Sequence, residues 1–296
     1  MFVSEIASDK VIIRTPAKIN LFLEVLNRRN YGFHNINSFF QAVSLFDFLE
    51  FTLISPNNLT IEIINNRKLP VGDDNLITKA FKLLKDAFGL KKGLNVKLGK
   101  NIPIAAGLGG GSADASATIL ACNLLFNLRL TYSQMAKLGL EIGSDLPFFF
   151  SSGCALVSGK GEVVDNQAFP NNYYLVLVNP GIGISTLESY RRLKRDLTIS
   201  KNPYKLAPCR TMKKFIESLK IAGNDFEKVH FESYPELIRI KDGLLKSGAL
   251  MARMSGSGPT MFGIYSKPPE IKDDIMMAGE NWQMYAVEPI FLPRRV

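Results

Sequence analysis

The stretch Pro103-Ile104-Ala105-Ala106-Gly107-Leu108-Gly109-Gly110-Gly111-Ser112-Ala113 sets four glycines within five positions ahead of a serine. Glycine has no Cβ and tolerates positive φ, so successive N–H groups in such a loop can converge on one anion. A predicted strand, Leu94 to Leu98, precedes the loop. A predicted helix rich in Ala and Leu, from about Ser112 to Asn127, follows it. The free amides and positive dipole end of that helix add to the cradle. The chemistry that suits this arrangement is the binding of phosphate groups. A plain helix start after a tight turn needs one glycine, not four.

What the loop lacks excludes the commoner phosphate loops. No Lys follows the glycines, as a Walker A loop requires. Ser112 stands where a dinucleotide fingerprint needs its last Gly. Neither H-R-D nor D-F-G occurs downstream, so a protein kinase is excluded. Two charged residues elsewhere could do chemistry. Asp145, in Gly143-Ser144-Asp145-Leu146-Pro147-Phe148, precedes an apolar run that would partly desolvate it. It suits a general base and a backbone-capping turn Asp equally well. Lys18, in Pro16-Ala17-Lys18-Ile19-Asn20-Leu21, sits among apolar strand residues. A lone ammonium there is costly unless paired, and the competing reading is an edge-strand Lys that blocks aggregation.

Three segments in chain order resemble the three motifs of the GHMP kinase superfamily. They are Pro16 to Leu21, the P-x-x-x-G-L-G-G-G-S run from Pro103, and Met254-Ser255-Gly256-Ser257-Gly258-Pro259-Thr260. Together they span nearly the whole chain. Arg28-Arg29-Asn30-Tyr31-Gly32-Phe33-His34 and Ile142 to Phe149 further resemble the branch whose acceptor is a diol carrying a cytidine diphosphate, on the non-mevalonate route to isoprenoids.

The resemblance implies ATP as phosphoryl donor, with Mg²⁺, held by the loop Pro103 to Ala113. It implies Asp145 as the base that takes the acceptor's proton, with Lys18 beside it and the transferring phosphoryl. Asn20 would contact the diol, His34 the base edge, and Phe33 and Tyr190 the faces of the cytosine ring. Phe33 departs from the usual Tyr: it keeps a stacking face and lacks the hydroxyl. Asp114 is a candidate beside the metal, and no metal ligand is assigned. A homoserine- or mevalonate-type kinase is the alternative. A non-catalytic nucleic-acid-binding module is disfavoured because Lys18, Asp145 and all three motifs are intact.

Composition bounds these readings. At 296 residues the chain has room for two modest domains. Its net charge of +9 suits polyanionic ligands, and equally a solvated basic surface. Three scattered cysteines and two histidines, His34 and His230, argue against a disulfide framework, a zinc site or a His-rich metal centre. The N-terminus does not resemble a signal peptide, and no apolar run approaches membrane-spanning length. A cytoplasmic protein with no membrane or nucleic-acid partner, monomer or homodimer, is expected.

The elements that must position the site follow from periodicity. Strands are predicted at Lys10 to Thr15 and Ile19 to Asn27, interrupted or bulged at Pro16 to Lys18. A turn is predicted at Asn27 to Gly32, and further strands within Ser38 to Ile54 and Leu59 to Ile64. Leu76, Ile77, Ala80, Phe81, Leu84 and Phe88 recur with helical spacing between an Asp73-Asp74-Asn75 start and Gly89. A helix at Ser133 to Gly143 and a hairpin around Gly159-Lys160-Gly161 complete the first part. Beyond Pro170 a strand is predicted at Tyr173 to Val178, then a polar, weakly periodic stretch to Lys205. Helices at Thr211 to Leu219 and Tyr234 to Ser247, and strands at Ala252 to Met254 and Met261 to Tyr265, follow. The class is α+β, with domains 1–166 and 167–296. The resemblance implies a ribosomal-protein-like first domain and a ferredoxin-like second one.

Overall fold

The computed structural model describes all residues except 29–33, 66–68, 70–71, 194–202, 208, 210, 270–281 and 294–296. The predicted Asn27 to Gly32 turn, and Phe33, therefore lie largely outside the described residues. The elements are β1 (Phe2–Ile6), β2 (Lys10–Arg28), β3 (His34–Ile54), β4 (Leu59–Ile63), α1 (Leu76–Phe88), β5 (Gly93–Gly99), α2 (Gly110–Leu125), α3 (Tyr132–Ile142), a 3₁₀ turn (Leu146–Phe150), β6 (Cys154–Gly159) and β7 (Val163–Asn166). There follow β8 (Tyr174–Asn179), α4 (Thr186–Arg192), α5 (Met212–Ile221), α6 (Asp225–Phe231), α7 (Pro235–Lys246), β9 (Met251–Met254), β10 (Met261–Tyr265) and β11 (Gln283–Val287). The first sheet runs β1-β2-β3-β5-β4, with β6 on the other half of β3 and β7 beyond it; the second is β11-β8-β10-β9. This is a two-sheet α+β fold. Among the described residues no helix is long and apolar enough to cross a membrane.

Where two strands are predicted around Pro16 to Lys18, a single strand, β2, runs through. Its pairing with β3 shifts register between Pro16 and Ala17. There β3 runs from Phe46 to Val43 while β2 advances one residue, so two residues of β3 are extra, and across this irregularity the side chains of β2 change face. Before the shift Val11 and Ile13 point into the core beneath α1 and α2; after it Ala17, Ile19 and Leu21 pack toward β8 and β10. Lys18 and Asn20 are thereby turned to the side that Thr15 occupies, facing α2. The bulge that sequence anticipates as an interruption is what aims Lys18 at the site.

At Lys18 β2 is an edge of the sheet, but that edge is covered and Lys18 points into the site, so the aggregation-blocking reading does not hold. On one side Lys18 pairs with Ala42 of β3. On the other, β1 reaches only to Arg14. The remaining edge of β2 has its amides satisfied piecemeal. Lys18 N donates to Leu108 O (2.9 Å), Leu23 N to Gly223 O (2.9 Å), Asn20 N to Ser255 Oγ (3.2 Å) and Val25 N to Asp225 Oδ2 (2.7 Å). Both glycine loops and the start of α6 are thus docked along one strand edge.

α1 forms as its signals predict: Asn75 Oδ1 accepts from Ile77 N at 2.9 Å, and Gly89 closes the helix at φ 61°. α2 is buried along most of its length, so it is the central helix of the first layer. Two short helices, α4 and α6, were not predicted. At seven residues each they complete too few turns for a 3.6-residue period to show.

Candidate active site

The second and third motifs interlock. Gly107 has φ +76°, and a Cβ built there would lie 2.1 Å from Ser255 O and 3.1 Å from Gly258 O. Ser255 Oγ donates to Gly107 O at 3.0 Å, and Thr260 N to Ala106 O at 3.3 Å. A Cβ at Gly109 would meet Lys18 Cγ at 2.9 Å, so this glycine is needed to let the lysine pass. Gly109 also precedes α2 in a left-handed conformation, with no side-chain cap and no acidic residue in the first turn. The helix therefore offers unsatisfied amides and its positive end to an anion.

Lys18 is buried, and its ammonium is held by three acceptors: Asn20 Oδ1 at 2.6 Å, Gly107 O at 3.1 Å and Asp145 Oδ2 at 3.4 Å. It also stands 4.8 Å from the centre of the Phe40 ring. Asn20 is fixed in turn by Nδ2 donating to Ser38 Oγ at 2.9 Å. Asp145 follows Gly143 and Ser144 and precedes the 3₁₀ turn, and its side chain makes no capping bond there. The backbone-capping alternative is not what this aspartate does. Its side chain is 32% exposed against 4% for Lys18. The pair thus presents a reachable carboxylate backed by a buried, fixed cation.

A cavity of about 1040 Å³ opens over this pair. Its wall includes Lys18, Asn20, His34, Asp145, Tyr190, Pro103 to Gly107, Gly109 to Ser112, Gly256 and Ser257. Leu108 and Ala113, which fall inside the predicted nucleotide loop, are not on the wall; their side chains belong to the hydrophobic cores. Phe33 lies outside the described residues. At the far side the His34 and Tyr190 rings stack at 5.1 Å and 14°, and Phe226 meets Tyr190 edge-on at 5.0 Å and 89°. Burial, with the Asp145 charge adding to it, raises the Tyr190 hydroxyl pKa well above its ordinary value.

Asp114 proves to be committed elsewhere. Its carboxylate accepts from Thr15 Oγ1 at 3.2 Å and from Lys100 Nζ at 2.7 Å. Lys100 also donates to Asp47, whose other oxygen accepts from the amides of Asn101 and Ile102 at 2.6 and 2.8 Å. This buried cluster clamps the entry of the nucleotide loop to the first turns of α2. Burial pushes Asp114 up to about 7 against the pull of Lys100, with the Asp47 charge adding to the rise. Lys100 is shifted upward: burial opposes its charge, but Asp114 and Asp47 outweigh it. Asp47 and Lys100 were not singled out from sequence, because 53 residues separate them and no local pattern joins them. Among the described residues no group of three or more His, Cys, Asp or Glu gathers as a metal site.

The description "GHMP kinases N terminal domain" matches residues 75–153, and "GHMP kinases C terminal" matches residues 206–275. The chain is 40% identical over 255 residues to the 4-diphosphocytidyl-2-C-methyl-D-erythritol kinase of Bacillus mycoides (strain KBAB4), covering 86% of this chain and 88% of the relative. The chain belongs to the GHMP kinase family. The enzyme of the same name from Geobacillus sp. (strain WCH70) is 40% identical over 256 residues, with the same coverage of 86% and 88%. A solved structure of 4-(cytidine 5'-diphospho)-2C-methyl-D-erythritol kinase superposes with a TM-score of 0.71 at 28% identity, covering 94% of this chain and 99% of that one. The homoserine kinase of Cytophaga hutchinsonii gives a TM-score of 0.64 at 15% identity, covering 98% of each chain, and shows the shared fold alone. GHMP kinases are ATP-dependent phosphotransferases, and the interlocked loops above Lys18 and Asp145 are where this family member brings its three motifs together.

Proposed function

We propose that this GHMP kinase transfers the γ-phosphoryl group of ATP to the 2-hydroxyl of 4-diphosphocytidyl-2-C-methyl-D-erythritol, on the methylerythritol phosphate route to isoprenoid precursors. One observation carries the reading: the Lys18–Asp145 pair lies on the wall of a single cavity that also holds the glycine loop and the His34–Tyr190 stack. Phosphoryl transfer asks mainly for positioning and charge neutralisation. The phosphates lie on the backbone amides from Gly109 to Ser112, at the positive end of α2. The acceptor hydroxyl approaches in line, and Asp145, partly exposed to the cavity, takes its proton. Lys18, immobilised by three acceptors, offsets the negative charge that develops on the transferring group. Asn20, locked by Ser38, faces the diol.

The cytosine stacks on Tyr190 in the place that the His34 ring now holds, and His34 addresses the base edge. Phe33 would supply a second stacking face. Magnesium accompanies the nucleotide in this reading. The wall suits a cation that keeps several waters and takes one or two carboxylates plus phosphate oxygens. Asp114 is engaged by Lys100 and Thr15, so Asp74 and Asp145 are the acids available on the wall. Held by these carboxylates, the ion would offset the negative charge of the phosphates. The reading keeps domains 1–166 and 167–296; the end of β7 at Asn166 and the start of β8 at Tyr174 support it. A monomer or a homodimer belongs to this reading.

The test is a panel of acceptors offered to purified protein with ATP and Mg²⁺, with products followed by phosphorus NMR. Phosphorylation of the cytidyl-diphospho diol at its 2-hydroxyl is expected. Phosphorylation of homoserine or mevalonate, with the cytidyl substrate ignored, would replace the reading by the alternative one.

A further inference from the structure

Tyr190 and Thr186 reach the cavity from α4, a helix of only seven residues. Its one buried residue is Ser189, adjacent to Tyr190, and both face α6: Tyr190 meets Phe226 and Ser189 meets His230. Ser189 Oγ donates to Ser185 O at 2.9 Å. A hydroxyl has a single hydrogen, so toward His230 Nε2, also 2.9 Å away, it acts as acceptor. His230 therefore carries its proton on Nε2. Its Nδ1 is a buried acceptor that no group pairs among the described residues. That orphan costs desolvation free energy. A Phe between Phe226 and Tyr234, which flank the ring, would carry no such acceptor. The Nε2–H bond to α4 is what a histidine adds at this place.

The other end of this chain of contacts is firmly tied. α6, which carries His230, begins at Asn224, whose Nδ2 donates to Met254 O at 2.8 Å and Gly256 O at 2.9 Å. Asp225 accepts from Val25 of β2. The position of α4 is thus referred, through α6, to the third motif and to the strand that bears Lys18. Burial, with the Arg192 charge adding to it, pushes the His230 pKa down to about 4, so the ring stays neutral at ordinary pH.

We propose that Ser189 and His230 are a positioning pair that sets α4 upon α6 and so holds Tyr190 where the cytosine of the acceptor stacks. The proposal rests on the functional reading above. Ser189→Ala and His230→Phe, made in the full chain, are compared with wild type in steady-state kinetics and thermal melting. The KM for the cytidyl acceptor is expected to rise about five- to tenfold, the loss of one buried hydrogen bond. kcat and the KM for ATP stay unchanged. His230→Gln, whose amide can donate to Ser189, recovers most of the effect. In a Tyr190→Ala background, Ser189→Ala adds nothing further, because its action runs through that ring.

An unchanged acceptor KM in the folded Ser189→Ala protein overturns the proposal, as does a penalty that adds in full to that of Tyr190→Ala. A drop in kcat with both KM values moving together marks a merely structural role and overturns it as well. If Tyr190→Ala itself leaves the acceptor KM unchanged, the stacking role of Tyr190 falls first and the pair falls with it. If Tyr190→Ala raises the acceptor KM and the pair variants do not, only the pair is lost.

Discussion

On the donor side of the cavity, backbone does the work: Gly107 lies where no Cβ fits, Gly109 leaves room for the Lys18 stem, and amides at the head of α2 face the space. On the acceptor side, side chains from separate elements do it: His34 from β3, Tyr190 from α4 and Phe226 from α6 meet ring to ring. Most of the donor side comes from one continuous run, residues 103–113, closed by Ser255 and Gly258 of the third motif. The acceptor side is assembled from positions scattered over some two hundred residues, and its geometry depends on how two seven-residue helices dock. A recurring donor can be met by a local motif; a particular acceptor is recognised by side chains that can vary without disturbing it.

The seam between the two sides is Lys18–Asp145, and breaking it should have the largest effect. Asp145→Asn keeps the size of the side chain and removes the base. Its kcat should fall about a thousandfold, within the range that a positioned general base supplies. ATP affinity, measured by calorimetry, should change little, because the donor side stands without it. Turnover close to wild type would take the base role from Asp145.

Next in size is a test of whether the glycines are there for phosphate or for packing. Gly107→Ala adds a Cβ at 2.1 Å from Ser255 O on a residue with φ +76°. It should destabilise the fold by about 3 kcal/mol or more, strain and clash together. Gly111→Ala, whose Cβ would meet nothing nearer than Leu76 Cδ1 at 3.5 Å, should unfold like wild type. Equal melting temperatures for the two variants would refute the interlocking of the loops as the reason for Gly107.

This asymmetry also governs what was legible in the sequence. The donor loop could be read because its chemistry is written in adjacent residues: four glycines, a serine and a helix start. Lys18 could be read only with the family resemblance, since nothing local says that a bulge at Pro16 and Ala17 turns it toward α2. Strands that are apolar nearly throughout, such as β8 and β10, match the predicted ranges within a residue or two. α4 and α6 escaped for want of turns, and with them the Ser189–His230 contact. The Asp47–Lys100–Asp114 cluster escaped for another reason. Its members lie on a strand, a loop and a helix, and each alone is an ordinary charged residue. Burial, which makes them a unit, is a property of the fold.

On the acceptor side, Asn224 is the counterpart of Gly107. It caps α6, with Oδ1 accepting from Phe226 N at 3.0 Å, and ties that helix to two carbonyls of the third motif. Asn224→Ala should cost about 2 kcal/mol, the upper range of a lost cap. The loss should fall on the acceptor's KM more than on that of ATP. An equal rise in both would mean that α6 serves the two sides alike, and the contrast drawn above would weaken.

The smallest effect lies beneath the donor side, in the proton held by Asp114. Its pKa is raised from 3.8 to about 7, chiefly by burial. Between those values the folded chain keeps a proton that the unfolded chain releases. Stability from this group therefore falls as pH rises from about 4 to about 7, and is level above. His230, pushed down to about 4, slopes the opposite way up to its ordinary 6.5. The quantity to measure is thus a difference: the urea midpoint of Asp114→Asn minus that of wild type, at pH 5 and at pH 8. Asn keeps an oxygen for Lys100 and a group for Thr15, and it has no proton to lose. The variant should gain on wild type as pH rises, because only wild type must then bury a second carboxylate charge beside Asp47. A difference that stays constant between the two pH values would show that Lys100 neutralises the cluster completely, and that the nucleotide loop sits on an ion cluster indifferent to pH.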